Sequence, residues 1–235
     1  MDDRDGTADV ILLDYNGVIV DDEPFHYSAL RDTLAPEGIA VDEASYYADF
    51  LGFDDRACIR EAFRRSGRPL EPPALLRLAA DKARRYADRA RGGLPLVPGV
   101  RDFVRGASDL ARIAIVSGAL RREIVAGLEQ AGIAEWVARI VSAENVARPK
   151  PDPEGHRLAL AGLAGGRAAA RTIVVEDSRP GLAAARALGA GCLMLTTTYD
   201  ADEVPGADLV WQSFDRHAPN ELTPFMKEVA TAGPA

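Results

Sequence analysis

Val10-Ile11-Leu12-Leu13-Asp14-Tyr15-Asn16-Gly17-Val18 sets four continuously apolar residues directly before an acidic residue and a glycine-containing turn. An apolar run without alternation is expected of a parallel strand buried on both faces. Two further runs have the same form. Ile113 to Val116 leads into Ser117-Gly118, and Ile173 to Val175 leads into Glu176-Asp177-Ser178. Between them, Val100, Phe103, Val104, Ala107 and Leu110 fall at helical spacing. So do Leu120, Ile124, Val125 and Leu128, a series that stops near Gly132. Asp152-Pro153 reads as the cap and first residue of another helix, and Pro180 to Leu188 as a further helix ended by Gly189. Strands alternating with helices predict an α/β fold built on a doubly wound parallel sheet.

The stretch from about Glu23 to Gly93 breaks this rhythm. It is Arg- and Ala-rich, with Pro69 and Pro72-Pro73 at its joints, and it contains no convincing strand. Asp21-Asp22-Glu23 flanks it on one side, and Gly92-Gly93 through Pro98-Gly99 on the other. We therefore expect a helical cap domain over 21–94, inserted into an α/β core made of 1–20 and 95–235, with two chain crossings able to act as hinges.

Composition narrows the function. The 235 residues are 47% hydrophobic and 27% charged, which suits a chain that buries a sizeable core. A net charge of −8 and a pI near 5.0 provide no electrostatic footprint for nucleic acid. Cys58 and Cys192 are too few for a disulfide framework or a zinc site, and His26, His156 and His217 show no paired spacing. The acidic start Met1-Asp2-Asp3-Arg4-Asp5 has no signal-type apolar run behind it, and no apolar run approaches the ~18 residues of a membrane span. We expect a cytoplasmic protein with neither a membrane nor a nucleic-acid partner.

In open α/β sheets, ligands bind outside the carboxyl ends of the strands. The three runs deliver Asp14, Ser117, Glu176 and Asp177 to that edge, and Lys150 lies in the rigid segment Arg148-Pro149-Lys150-Pro151. Carboxylates without cysteine or paired histidine suit Mg²⁺, while lysine and a Ser-Gly helix start suit phosphate. The set points to Mg²⁺-dependent phosphoryl chemistry. Each residue also has a plainer reading taken singly. Asp14 could form a strand-end turn, Lys150 could be a solvated loop lysine, and Glu176 could complement a helix dipole.

As an ordered set, Asp-x-x-Gly-Val after a strand, strand-Ser, Lys-Pro and strand-Glu-Asp-Ser-x-x-Gly resembles the haloacid dehalogenase superfamily. The cap placed straight after the first motif is similar to the branch of β-phosphoglucomutase and small-molecule phosphatases. The resemblance implies that Asp14 is the nucleophile that becomes an aspartyl-phosphate. It implies that Ser117 orients the phosphate with the Gly118 and Ala119 amides, and that Lys150 balances charge. Asp14, the backbone carbonyl of Asn16, Glu176 and Asp177 are then the metal ligands. Ser178 and Gly181 are expected to cap and pack the next helix.

Asn16 departs from the pattern, because phosphatases and mutases of the superfamily carry an acid/base aspartate there. An amide can neither protonate a leaving oxygen nor deprotonate water, help worth roughly 10²–10⁴ in rate. The asparagine is open to three readings: an introduced trap, a natural residue with a replacement acid/base, or a chain that binds phosphate ligands without turnover. Glu23 and His26, three apart on one helix, are candidate replacements or substrate contacts, or else a surface pair. Lys82, in Lys-x-x-x-Tyr with Tyr86, and Arg56, after Gly52-Phe53-Asp54-Asp55, are further substrate-binding candidates; a solvated helix face explains Arg56 equally well. Sugar-phosphate mutase activity stays open beside hydrolysis. A serine hydrolase elbow is excluded by Ile115 and Ala119, a P-loop by the lack of Gly-x-x-x-x-Gly-Lys, and a phosphonatase by the late position of the only cap lysine.

Overall fold

The structure, a computed structural model, describes residues 8–50, 53, 55–163 and 169–231. The acidic start of the chain, Gly52 and Asp54 lie outside the described residues. In chain order the elements are β1 (Ala8–Leu13), α1 (Glu23–Leu34), α2 (Glu43–Asp49), α3 (Asp55–Arg65), α4 (Pro72–Ala90), α5 (Val100–Ser108), β2 (Arg112–Val116) and α6 (Arg121–Ala131). They continue with β3 (Val137–Val141), α7 (Glu154–Leu163), β4 (Ala169–Glu176), α8 (Arg179–Leu188), β5 (Gly191–Leu195), β6 (Leu209–Trp211) and β7 (Lys227–Ala230). Two compact units result: Met1–Asp21 with Pro95–Ala235, and Asp22–Leu94.

The first unit is the doubly wound α/β sheet that the sequence predicts. Its strand order is β3-β2-β1-β4-β5-β6, with every neighbouring pair parallel. Long β4 serves two neighbours on one side: Ile173–Glu176 pair with β5, while Ala169–Thr172 pair antiparallel with β7. Val10, Ile11, Leu12 and Leu13 are buried on both faces, as their unbroken apolar run requires. Leu13 lies opposite Val175, and the Asp14 amide donates to the Val175 carbonyl at 3.0 Å, so β1 and β4 end together. Gly132 and Gly189 close α6 and α8 in the left-handed conformation. Leu110 departs from expectation: α5 stops at Ser108, and Leu110 is exposed.

Four strands lie outside the sequence-based expectation. β5, Gly191-Cys192-Leu193-Met194-Leu195, is wholly buried but contains no β-branched residue, so composition does not separate it from a helix. β3 carries exposed Arg139 at the sheet edge, and β6 and β7 are only three and four residues long. The segments leading to and from the second unit pair inside the first. Asp21 N–H donates to the Pro95 carbonyl at 2.9 Å, and Val97 N–H to the Ile19 carbonyl at 3.1 Å.

The second unit contains α1 to α4 and, among its described residues, no strand. Leu30, Leu34, Tyr46, Phe50, Ile59, Phe63, Leu75 and Leu78 form its core. Asp42 caps α2 by accepting the Ser45 amide at 2.9 Å, and Pro72-Pro73 sits in the first turn of α4. No helix among the described residues is long and apolar enough to cross a membrane.

One close contact in the α/β unit follows from the first motif. Tyr15 is buried, and its hydroxyl donates to the Glu123 carbonyl at 3.2 Å. A Cβ placed on Gly127, one turn along α6, would stand 1.8 Å from that hydroxyl. Intrinsic propensity favours alanine over glycine in a helix interior by ~1 kcal/mol, but here overpacking opposes it. Gly127→Ala is expected to destabilise by about 1–3 kcal/mol. Thermal unfolding checks this, and a raised Tm would show that Tyr15 yields.

Candidate active site

At the carboxyl edge, Asp14 after β1 and Ser117 after β2 have their backbones tied to the sheet. Asp14 is held by its amide bond to Val175, and Ser117 by donating its amide to the Val141 carbonyl at 3.0 Å. Glu176 ends β4, and Asp177 follows it. Lys150 Nζ lies 3.1 Å from Asp14 Oδ1 and also contacts Glu176 Oε1. Ser178 Oγ donates to the other Glu176 oxygen, Oε2, at 3.0 Å, and accepts the Gly181 amide at 3.1 Å. Ser178 thus caps α8 and holds Glu176 at once.

Two glycines make room for these carboxylates. Gly17 has φ +69°, and a Cβ there would fall 1.9 Å from Asp177 Oδ2. At Gly181 a Cβ would fall 1.9 Å from the Glu176 carboxyl carbon. The Gly17 requirement is both conformational and steric, and the Gly181 requirement is steric alone.

Asp14, Glu176 and Asp177 each offer an oxygen, all within 4.8 Å of one another. Burial raises the Glu176 carboxyl to about 7, against the pull of Lys150. Burial, then Asp14 and Glu176, raises Asp177 well above the usual carboxylate range. Burial also works against the Lys150 ammonium, but Asp14 and Glu176 outweigh it and its pKa is raised. Three carboxylates against one ammonium leave the cluster short of positive charge in a dry place. An all-oxygen donor set with that deficit fits a hard divalent cation.

The edge also contains residues that the sequence reading missed. Thr198 Oγ1 donates to Asp177 Oδ2, and Thr197 Oγ1 donates to the Gly17 carbonyl at 2.7 Å. Both follow β5, so the signal for them was the unrecognised strand itself. The Ala119 amide donates to Ser117 Oγ at 3.2 Å, while Gly118 is exposed.

Glu23, His26, Arg56 and Lys82 belong to the helical unit. Glu23 and His26 share α1 but have separate partners. The Tyr46 hydroxyl donates to Glu23, whereas His26 Nδ1 lies 2.6 Å from Lys82 Nζ. An ammonium can only donate, so Nδ1 accepts, and the proton of the neutral ring is assigned to Nε2, 3.3 Å from Asp22 Oδ2. Lys82 is 3% exposed and also donates to Asp55. Tyr86 stacks on His26 at 4.3 Å and donates its hydroxyl to Asp22 at 2.5 Å. Asp22 is 1% exposed, a buried member of this network where the sequence suggested only an acidic flank. Arg56 is exposed in the first turn of α3.

Comparison with known proteins shows the family of the chain. Validoxylamine A 7'-phosphate phosphatase of Streptomyces hygroscopicus subsp. limoneus is 33% identical over 98 residues, a match that spans 42% of this chain and only 45% of that protein. Plasmid-encoded protein CbbY of Cupriavidus necator is 30% identical over 216 residues, covering 85% of this chain and 83% of its own. A crystal structure of an aspartate-to-asparagine variant of CbbY from Rhodobacter sphaeroides, in complex with xylulose-(1,5)bisphosphate, superposes with a TM-score of 0.72 at 26% identity, over 89% of this chain and 96% of that one. The family model for haloacid dehalogenase-like hydrolases matches residues 8–189, and the chain belongs to that family.

Proposed function

We propose that the chain is a Mg²⁺-dependent phosphatase of a small phosphorylated metabolite, working through a phosphoryl group carried on Asp14. The observation that supports it most is the buried grouping of Asp14, Glu176 and Asp177 around Lys150 at the ends of β1 and β4. Two of the relatives' names point the same way, one to a phosphate ester and one to a sugar bisphosphate.

In this reading Asp14, the backbone carbonyl of Asn16, Glu176 and Asp177 hold Mg²⁺. The ion supplies Lewis-acid stabilisation of charge on the phosphoryl oxygens. An Asp14 oxygen attacks phosphorus, and the bond to the leaving oxygen breaks. Lys150 neutralises the nucleophile in the ground state and the phosphoryl oxygens as charge moves onto them. Ser117 Oγ–H and the Gly118 amide hydrogen-bond those oxygens. The Ala119 amide joins them once Ser117 Oγ turns to the ligand. Water then releases phosphate and restores Asp14. We assign substrate selection to the helical unit acting as a cap, with Glu23, His26, Arg56 and Lys82 as the candidate contacts. A second reading, phosphate-ligand binding without turnover, is favoured by Asn16.

Screening phosphorylated metabolites in the presence of Mg²⁺ separates the two readings. We expect saturable hydrolysis that Asp14→Ala abolishes and Lys150→Met lowers by about 10²–10³-fold in kcat. Binding of the same ligands with no release of phosphate would instead establish the second reading.

A pH dependence follows from Glu176. Its carboxyl titrates near 7, above the ordinary value, so the folded state favours the proton. The stabilisation is full below the ordinary carboxylate pKa and is lost as pH rises through about 7. In EDTA, Tm should fall as pH is raised from about 6 to 8, and Glu176→Gln should flatten the fall. An equal fall in both proteins would remove Glu176 as its cause.

A further inference from the structure

We propose that the preferred substrates are phosphates whose leaving group departs as a stable anion, acyl phosphates and phosphates of acidic phenols, rather than alkyl phosphomonoesters. This rests on the reading of Asp14 as nucleophile, and it comes from an inventory of proton donors at the edge. The departing oxygen takes the electron pair of its bond to phosphorus. A carboxylate or an acidic phenolate keeps that pair as an anion, whereas an alkoxide needs a proton in the transition state.

None of the groups gathered around Asp14 that are named above is well suited to give one. Asn16 is an amide, and Ser117, Thr197 and Thr198 are hydroxyls of very weak acidity. Lys150 is clamped between Asp14 and Glu176. Glu176 is fully buried, with Lys150 on one oxygen and Ser178 on the other. Asp177 accepts from Thr198. The Tyr15 phenol is buried and spends its proton on the Glu123 carbonyl in α6. His156 is 1% exposed inside the core. His217 stacks on Trp211 beyond the end of β6, three strand positions from β1, a separation of about 14 Å at the usual strand spacing. The second half-reaction needs no proton on its leaving group, although its water gets no base from Asn16. That step does not alter kcat/KM, which reports the first transfer. Water attacks phosphorus, the Asp14 carboxylate leaves with the electron pair as a stable anion, and both protons of the water remain on dihydrogen phosphate.

The test is a leaving-group series on the full-length protein with Mg²⁺: acetyl phosphate, aryl phosphates of graded phenol pKa, and glycerol phosphate. Mass spectrometry of the peptide spanning Asn16-Gly17 accompanies it to exclude deamidated chains. We expect kcat/KM to be about 10²-fold or more higher for acetyl phosphate than for glycerol phosphate, with a steep fall across the phenols. Asn16→Asp should flatten that fall, raising the alkyl substrate by about 10²-fold or more while acetyl phosphate changes little. A flat series in the unaltered protein, or an equal gain on every substrate in Asn16→Asp, would overturn the inference. If no substrate shows turnover that Asp14→Ala removes, in either protein, the phosphatase reading itself falls and takes this inference with it.

Discussion

Three carboxylates and one lysine share the buried end of two parallel strands, and much of the α/β unit is arranged to tolerate that. Like charges so close are unfavourable without counter-charge and hydrogen bonds. The fold supplies both. Lys150 bridges Asp14 and Glu176, Ser178 holds the far oxygen of Glu176, and Thr198 holds Asp177. Glycines at 17 and 181 leave the volume that the carboxylates occupy. A parallel sheet suits the task because its strands end together at one edge, where loops are free to carry polar groups. The remaining deficit of positive charge is what a divalent cation would relieve.

The helical unit contains a second buried polar network of a different kind. Asp22, His26, Lys82, Asp55 and Tyr86 are joined by hydrogen bonds and ion pairs, with two carboxylates, one ammonium and a neutral imidazole among them. The Lys82 contact occupies His26 Nδ1, and Nε2 lies 3.3 Å from Asp22 Oδ2. Glu23 is likewise engaged by Tyr46. Within this unit both candidate replacements for an acid/base already have partners, which agrees with a chemistry that does not call on them.

Much of this was legible from the chain because the signals are local. An unbroken apolar run followed by Asp or Glu-Asp marks a buried strand and the edge it reaches, and β1, β2 and β4 were readable on that basis. Glycine after a periodic segment marked the ends of α6 and α8. What was not legible depends on partners distant in sequence. β5 lacks β-branched residues, so Thr197 and Thr198 behind it had no strand to place them. The burial of Asp22 is decided by Tyr86, sixty-four residues away. Leu110 matched a helical period that the chain abandons after Ser108.

The central claim is that the edge formed by β1 and β4 is one site for a cation and a phosphoryl group. A crystal structure of the protein with Mg²⁺ and beryllium fluoride tests it most directly. The account predicts beryllium bonded to an Asp14 carboxylate oxygen, fluorines facing Ser117 and Lys150, and a cation held by Asp14, the Asn16 carbonyl, Glu176 and Asp177. Beryllium fluoride bound elsewhere, or a cation that leaves Asp14 and Asp177 uncoordinated, would contradict it.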